Sequence, residues 1–158
     1  MENKTGIKAL IDLFMSKKRI AFVGVSAKEK SFSRVLFNEF IKRGYDMVPV
    51  NPSQTQIAGL LCYKNVSEIN PLVEAVLIMT NPKAAADILK DFQSAGIDLI
   101  WLYRSLGQGV VSPEAILFGK ENSLNLIPGY CPYIFWKDSG LIHSLHRLIM
   151  KIGGKYPE

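Results

Sequence analysis

The sequence has few cysteines and no apolar run long enough to cross a bilayer. Its 158 residues contain two cysteines, Cys62 and Cys131, which are too few for a disulfide framework and favour a reducing compartment. The N-terminus does not resemble a secretion signal, so we expect a cytoplasmic protein without a membrane partner. Hydrophobic residues make up 48% of the chain, which excludes wholesale disorder. The length predicts a single domain, 1–158, that needs neither a metal nor a disulfide for stability.

Several functional motifs are also absent. The dinucleotide fingerprint G-x-G-x-x-G is missing, because no glycine lies between Gly24 and Gly44. No phosphate-binding lysine loop of nucleoside triphosphatases and no Ser-His-carboxylate triad stands out. The net charge of +5 is dispersed among acidic residues without interleaved aromatics, which counts against nucleic acid. His143 and His146 have a spacing that could hold a metal but no further ligand residues beside them. We therefore expect no catalytic residue and no metal site.

Short apolar runs alternate with helical patterns along the chain. The runs lack polar alternation, which is typical of strands covered on both faces, and they lie at 20–25, 46–50, 75–79, 99–102 and 124–127. Because helical patterns separate these runs, the strands must be joined by crossovers and the sheet must be parallel. The pattern predicts an α/β, Rossmann-like, doubly wound sheet of about five strands in one three-layer domain. Its core spans about 18–135, with a flanking helix at either end.

Glycine, proline and small polar residues follow the predicted strands. They are Gly24, Val25 and Ser26 after the first, Asn51 and Pro52 after the second, Thr80, Asn81 and Pro82 after the third, Gly107 after the fourth and Cys131 after the fifth. Ligands of doubly wound sheets bind at these carboxyl ends. After the first strand, Ser31 or Ser33 is placed to cap a helix whose free amides favour an anion. The same loop carries positive charge at Lys28, Lys30 and Arg34.

The end of the second strand discriminates between nucleotide ligands. A carboxylate there would bind the ribose of NAD, and a nearby arginine would bind the extra phosphate of NADP. The chain has Asn51 and Pro52 instead, which counts against both cofactors.

The ordered set of these residues resembles the single-domain CoA-binding proteins, relatives of the CoA-binding domain of succinyl-CoA synthetase and other NDP-forming acyl-CoA synthetases. The likeness runs through 20–26, Ser33, 44–52, 75–82, 100–102 with Gly107, 113–115 and Cys131-Pro132. It implies coenzyme A or an acyl-CoA as ligand, with Gly24, Ser26 and the Ser33 region at the phosphates. Asn51 and Pro52 would border the adenosine, and Thr80, Asn81 and Pro82 would line the path of the pantetheine arm. Lys28, Lys30 and Arg34 would face the phosphates of CoA.

Three hypotheses remain open. The first is non-catalytic binding of CoA or acyl-CoA, because the phosphorylated histidine of the synthetases belongs to another domain. The second is an NAD(P)- or nucleotide-binding redox regulator or small enzyme that uses Cys131, whose thiol could otherwise be a small buried hydrophobe. The third is a subunit that serves a separate catalytic chain through its terminal helices. The last amphipathic segment, 141–152, is expected to pack on the sheet or on the first helix, with a homodimer contact as the alternative.

Overall fold

The structure is a computed structural model that describes residues 6–104, 109–138 and 140–157, without the side chains of Ile142 and His143. Its strands are β1 (Arg19–Val23), β2 (Asp46–Val50), β3 (Gln56–Ile57), β4 (Leu60–Leu61), β5 (Ala75–Ile78), β6 (Leu99–Leu102) and β7 (Asn125–Pro128). Its helices are α1 (Ile7–Ser16), α2 (Phe32–Lys42), α3 (Pro82–Ser94), α4 (Pro113–Glu121) and α5 (Gly140–Ile152). Single 3₁₀ turns lie at Val66–Glu68 and Pro132–Phe135.

Five strands form one parallel sheet in the order β2-β1-β5-β6-β7. The predicted Rossmann-like α/β fold is therefore confirmed. The chain leaves β1 toward one side of the sheet, to β2, and leaves β5 toward the other side, to β6. The strand order thus reverses between β1 and β5. Open α/β sheets bind ligands in the crevice that this reversal creates at the carboxyl ends of the strands.

Helices cover both faces of the sheet and make three layers. On one face, Phe37 of α2 meets Phe22 edge to face at 5.7 Å between ring centroids. Phe14 of α1 meets Trp101 on the same face at 5.1 Å. On the other face, α4 lies so close to β7 that a Cβ added to Gly119 would be 2.1 Å from a methyl carbon of Leu126. The central strands β5 and β6 are thus buried on both faces, which explains why they lack polar alternation.

The second strand, β2, lies at an edge of the sheet. An edge strand tolerates Pro49, which cannot donate a ladder hydrogen bond. The antiparallel hairpin β3–β4, which the sequence patterns did not predict, leads back to this edge. After the hairpin, the amide of Tyr63 donates to the Pro49 carbonyl at 3.0 Å, and the Asn51 amide donates to the Tyr63 carbonyl at 2.9 Å. The exposed end of β2 is therefore partly covered.

Helix α5 differs from its expected packing on the sheet or on α1. It lies against the turn Pro132–Phe135, where Arg147 donates to the carbonyl of Trp136. Most of its large apolar side chains stay exposed, and they are Leu141, Leu145, Leu148, Ile149 and Ile152. The homodimer contact considered for this helix stays a prediction.

Candidate functional site

Gly24 follows β1 at the point where the strand order reverses. Its φ is +88°, and an added Cβ would lie 2.3 Å from the carbonyl oxygen of Met79. Its amide donates to the Val50 carbonyl at 3.0 Å. Glycine is required here because the three strand ends converge on its backbone. The backbone that lies this close to Gly24 is that of Met79, at the end of β5.

The serines after β1 are hydrogen-bonded to one another and to the loop. The Ser26 amide donates to Ser33 Oγ at 3.1 Å, and Ser26 Oγ accepts from the Lys28 amide at 3.1 Å. Ser31 is the N-cap of α2, with its Oγ accepting from the Arg34 amide at 3.4 Å and donating to the Lys28 carbonyl at 2.9 Å. Of the two cap candidates, Ser31 is therefore correct, and Ser33 lies in the first helical turn. The network shapes the loop against the helix N-terminus.

The positive charges predicted for this loop are in different environments. Arg34 is 9% exposed, and its guanidinium donates to Asn38 Oδ1 at 3.2 Å and to the Ala27 carbonyl at 3.5 Å. Lys28 and Lys30 are exposed. Arg34 therefore anchors the loop to α2, whereas the two lysines leave their ammonium groups in solvent.

Asn51 joins the loops after β1 and β2. Its side-chain amide donates to the Val25 carbonyl at 3.0 Å, and its Oδ1 accepts from the Ser53 amide at 2.9 Å. Val25 itself is fully buried, so it serves packing, whereas Pro52 is exposed beside Asn51. The pair of loops forms one rigid wall on the β2 side of the crevice.

Thr80, Asn81 and Pro82 follow β5 and form the opposite wall. Asn81 is the N-cap of α3, and its Oδ1 accepts from the Ala84 amide at 3.0 Å. Pro82 occupies the first helical position, where its missing N–H has no cost. Thr80 Oγ1 donates to the Asn81 carbonyl at 3.2 Å. Two helix N-termini, those of α2 and α3, thus flank the crevice, and each carries partial positive charge. Gly107, the remaining predicted residue after β6, lies outside the described residues.

An aromatic cluster, which sequence reasoning missed, joins the first loop to the end of β6 and the turn after β7. Phe32, the first residue of α2, has its ring centroid 5.9 Å from that of Tyr103 and 6.0 Å from that of Tyr133. Phe32 remains 42% exposed. The sequence signal for this cluster was Phe32 itself, a large aromatic residue at the exposed start of a helix. The cluster offers an apolar surface for an uncharged part of a ligand.

Cys131 lies next to Tyr103 and Tyr133 of this cluster and is 5% exposed. Burial raises the pKa of its thiol, and hydrogen bonds with the Tyr133 backbone and the Tyr103 side chain oppose that rise only in part. Burial likewise raises the pKa of the Cys62 thiol. A thiol with a raised pKa holds little thiolate at neutral pH and is a poor nucleophile.

A cavity of about 520 Å³, also missed by sequence reasoning, lies between α5 and the turn after β7. It is lined by Arg104, Tyr130, Cys131, Ile134, His146, Met150, Gly154, Lys155 and Tyr156. Its walls come from three segments distant in sequence, so no local motif could reveal it. The described residues contain no group of three or more potential metal ligands, and no described helix is long and apolar enough to span a membrane.

A model of the CoA binding domain matches residues 18–137. The chain belongs to this CoA-binding domain family. It is also similar to protein YneT of Bacillus subtilis, with 24% identity over 120 residues that cover 76% of this chain and 86% of YneT. A trans-feruloyl-CoA synthase from an unknown prokaryote is 22% identical over 95 residues, which span 59% of this chain but only 13% of that enzyme.

Solved structures show the same architecture. A hypothetical protein from Pyrococcus horikoshii superposes with a TM-score of 0.73 at 23% identity, covering 83% of this chain and 89% of that one. An acetyl-coenzyme A synthetase from Candidatus Korarchaeum cryptofilum superposes with a TM-score of 0.60 at 20% identity, covering 69% of this chain and 25% of the enzyme. The family match ends at residue 137, so α5 and the residues after it lie outside it.

Proposed function

We propose that this chain binds coenzyme A or an acyl-CoA, without turnover, in the crevice between the loops after β1 and β5. The observation that carries the proposal is the family match to the CoA binding domain over residues 18–137. The proposed site lies where the strand order reverses, which is where sheets of this class bind ligands.

The loop after β1 supports the phosphate part of the proposal. The first turn of α2 has backbone amides without intrahelical partners, and such amides stabilise a negatively charged phosphate. The serine network around Ser26 and Ser33 holds the loop in one geometry, so little ordering is needed when a ligand binds. Lys28 and Lys30 are exposed beside it and can approach the diphosphate or the 3′-phosphate of CoA.

We propose binding without chemistry because the described residues of the site include no activated group. The thiol of Cys131 has a pKa raised by burial, which disfavours the redox alternative. The remaining polar side chains at the crevice already serve the loops: Asn51 joins two of them and Asn81 caps α3. We therefore place CoA as a ligand or as cargo for another protein.

Isothermal titration calorimetry with CoA, dephospho-CoA, NAD and NADP tests the proposal directly. We expect CoA to bind, and dephospho-CoA to bind more weakly because it lacks the 3′-phosphate. Ser33→Ala removes the acceptor of the Ser26 amide, and we expect it to weaken CoA binding about tenfold, or about 1.4 kcal/mol. Ser16→Ala, at the exposed end of α1, is the matched control and should leave the affinity unchanged.

The outcomes separate the competing hypotheses. Binding of NAD without binding of CoA would overturn the proposal in favour of the nucleotide alternative. A disulfide-linked CoA adduct on Cys131 after incubation with CoA disulfide, detected by intact mass and lost in Cys131→Ser, would favour the redox alternative. If Ser33→Ala and Ser16→Ala bind CoA alike, the ligand does not use the loop after β1.

A further inference from the structure

The cavity between α5 and the turn after β7 has a concentration of basic side chains. Arg104, His146 and Lys155 line it, together with the hydroxyl-bearing rings of Tyr130 and Tyr156. Its volume of about 520 Å³ is in the range of small-molecule sites. A site with this lining suits a small anionic group attached to an apolar chain.

The positive charge in the cavity is not neutralised by the described part of the protein. No Asp or Glu is among the described lining residues. The ion pairs of the described residues use other cations, namely Lys8, Arg19, Arg43 and Lys90. Arg104 and Lys155 therefore have no carboxylate partner there. An anionic ligand in the cavity would be attracted to both side chains.

The backbone beside the cavity is held in an uncommon conformation. Gly129 has φ +107° and Tyr130 has φ +65°, a left-handed conformation that is rare for a bulky residue. The segment is fixed from below, because buried Trp101 Nε1 donates to the Gly129 carbonyl at 2.7 Å and the Gly129 amide donates to the Leu102 carbonyl at 2.8 Å. Backbone strain of this kind concentrates at ligand sites.

The same glycine makes room for the arginine. A Cβ on Gly129 would lie 3.1 Å from Arg104 Nη2 and 3.2 Å from Nε, so the guanidinium lies flat against the glycine backbone. The Arg104 amide also donates to the Tyr130 carbonyl at 3.3 Å. The strained segment thus positions the cation as well as the ring of Tyr130.

We propose that this cavity binds the terminal carboxylate of an acyl-CoA whose acyl group is a dicarboxylic acid. The inference rests on the proposed CoA site. From β1 to β7 there are three strand spacings, roughly 14 Å, and the pantetheine arm of CoA is about as long as four extended residues, also roughly 14 Å. A CoA with its diphosphate at α2 can therefore bring its acyl end to the strand that borders the cavity. Arg104 and Lys155 would bind the carboxylate there.

The cavity extends beyond the part of the chain that the family model matches. More than half of its lining, from His146 through Tyr156, lies beyond residue 137, where the family match ends. Tyr156 fixes this segment by packing on Phe135 at 5.7 Å. Specificity for the acyl group would thus come from α5 and the segment after it, whereas the family domain would bind the CoA part.

Matched acyl-CoA ligands test the inference. Glutaryl-CoA and pentanoyl-CoA have acyl chains of equal carbon number and differ at the end in a carboxylate or a methyl group. By calorimetry at neutral pH we expect the wild type to bind glutaryl-CoA at least tenfold more tightly than pentanoyl-CoA. Arg104→Gln and Lys155→Gln should each reduce that ratio, and the double variant should bring it close to one. Affinity for CoA itself should not change in any of the three variants.

Lys90→Gln removes one positive charge from the exposed surface of α3 and should keep the wild-type ratio, which controls for net charge. Equal binding of glutaryl-CoA and pentanoyl-CoA by a wild type that binds CoA would overturn this inference and leave the proposed function standing. A preference that survives in the double variant would also overturn it. If neither CoA nor either acyl-CoA binds, the proposed function fails as well.

Discussion

The loop after β1 and the cavity beside β7 lie at the same end of the sheet but use their polar groups differently. In the loop, the side chains of Ser26, Ser31 and Ser33 bond to nearby backbone amides or carbonyls, and Arg34 bonds to Asn38 and to the Ala27 carbonyl. At the cavity, Arg104 and Lys155 have no carboxylate partner among the described residues. A ligand phosphate at the loop would contact mainly backbone amides and the exposed Lys28 and Lys30. A carboxylate in the cavity would contact Arg104 and Lys155, and Arg104 is held in place against Gly129.

Because the loop side chains are hydrogen-bonded within the protein, we expect substitutions in the loop to destabilise the fold more than substitutions at the cavity. Gly24→Ala would press a Cβ on the Met79 carbonyl, 2.3 Å away, in a backbone conformation that disfavours alanine. We expect the free energy of unfolding to fall by roughly 2–5 kcal/mol in urea denaturation.

Gly44→Ala is the matched control, because Gly44 has the same φ of +88° but nothing within 4 Å of an added Cβ. Its loss should be roughly 1–2 kcal/mol, the left-handed penalty alone. Equal losses in the two variants would mean that the strand ends near Gly24 can separate at no cost.

Arg34 in the loop and Arg104 at the cavity should also differ in their contribution to stability. Arg34 is 9% exposed and bonds to Asn38 and to the Ala27 carbonyl, so we expect Arg34→Gln to lower the free energy of unfolding by about 1–3 kcal/mol. Arg104 is exposed, and Arg104→Gln should change it by no more than about 0.5 kcal/mol. Urea denaturation of both variants measures the difference. A larger loss of unfolding free energy in Arg104→Gln would show that the Arg104 guanidinium stabilises the fold, which would contradict its assignment to ligand binding.

The thiol beside the cavity should react slowly. Because burial raises the pKa of Cys131, we expect its alkylation by iodoacetamide at pH 8 to be several times slower than that of glutathione. The rate should keep rising with pH beyond about 8.5, the ordinary thiol pKa. Intact-mass kinetics on a Cys62→Ser background isolate Cys131, and the urea-unfolded chain should recover the rate of a free thiol. A fast reaction of the folded protein at pH 7 would reopen the redox hypothesis.

The smallest effect is expected at the opposite, amino end of the sheet. The Glu74 carboxylate accepts hydrogen bonds from the amides of Lys18 at 2.9 Å and Arg19 at 3.0 Å, and these bonds lower its pKa. A lowered folded-state pKa gives a contribution that is complete above the unfolded pKa, about 4.3, and disappears as the pH falls through the folded value.

Glu74→Gln should therefore be less stable than the wild type at pH 7, with the gap narrowing toward pH 3 in urea titrations. Glu121→Gln, at the exposed end of α4, should show no such trend, and neither variant should alter CoA affinity. A gap that widens toward acid pH would contradict the assigned hydrogen bonds.

Local patterns were enough to predict the main elements. All five strands of the sheet could be predicted because each is a short apolar run. A serine cap at the start of α2 was also predicted. Only the observed hydrogen bond from the Arg34 amide identifies Ser31, and not Ser33, as that cap. The hairpin β3–β4 was missed because its strands have two residues each, Gln56–Ile57 and Leu60–Leu61. Two residues are too few to show a period.

Other features depend on residues distant in the chain. The close contact of Gly24 with Met79 joins the ends of β1 and β5, and Asn51 reaches back to Val25. The exposure of Leu141 and Leu145 on α5 contradicts what amphipathic spacing alone suggests. Spacing identifies an apolar helix face but not the surface that covers it.

The apolar runs and the residues after each strand were enough to predict the fold class and the family likeness, because these are properties of short segments. Tertiary structure alone decided the strand order, the crevice between β1 and β5, and the cavity that unites Arg104 with Lys155. The physical reason is that a local pattern selects a conformation, whereas a site depends on which distant segments pack together. For this chain the parallel sheet brings those segments to one end.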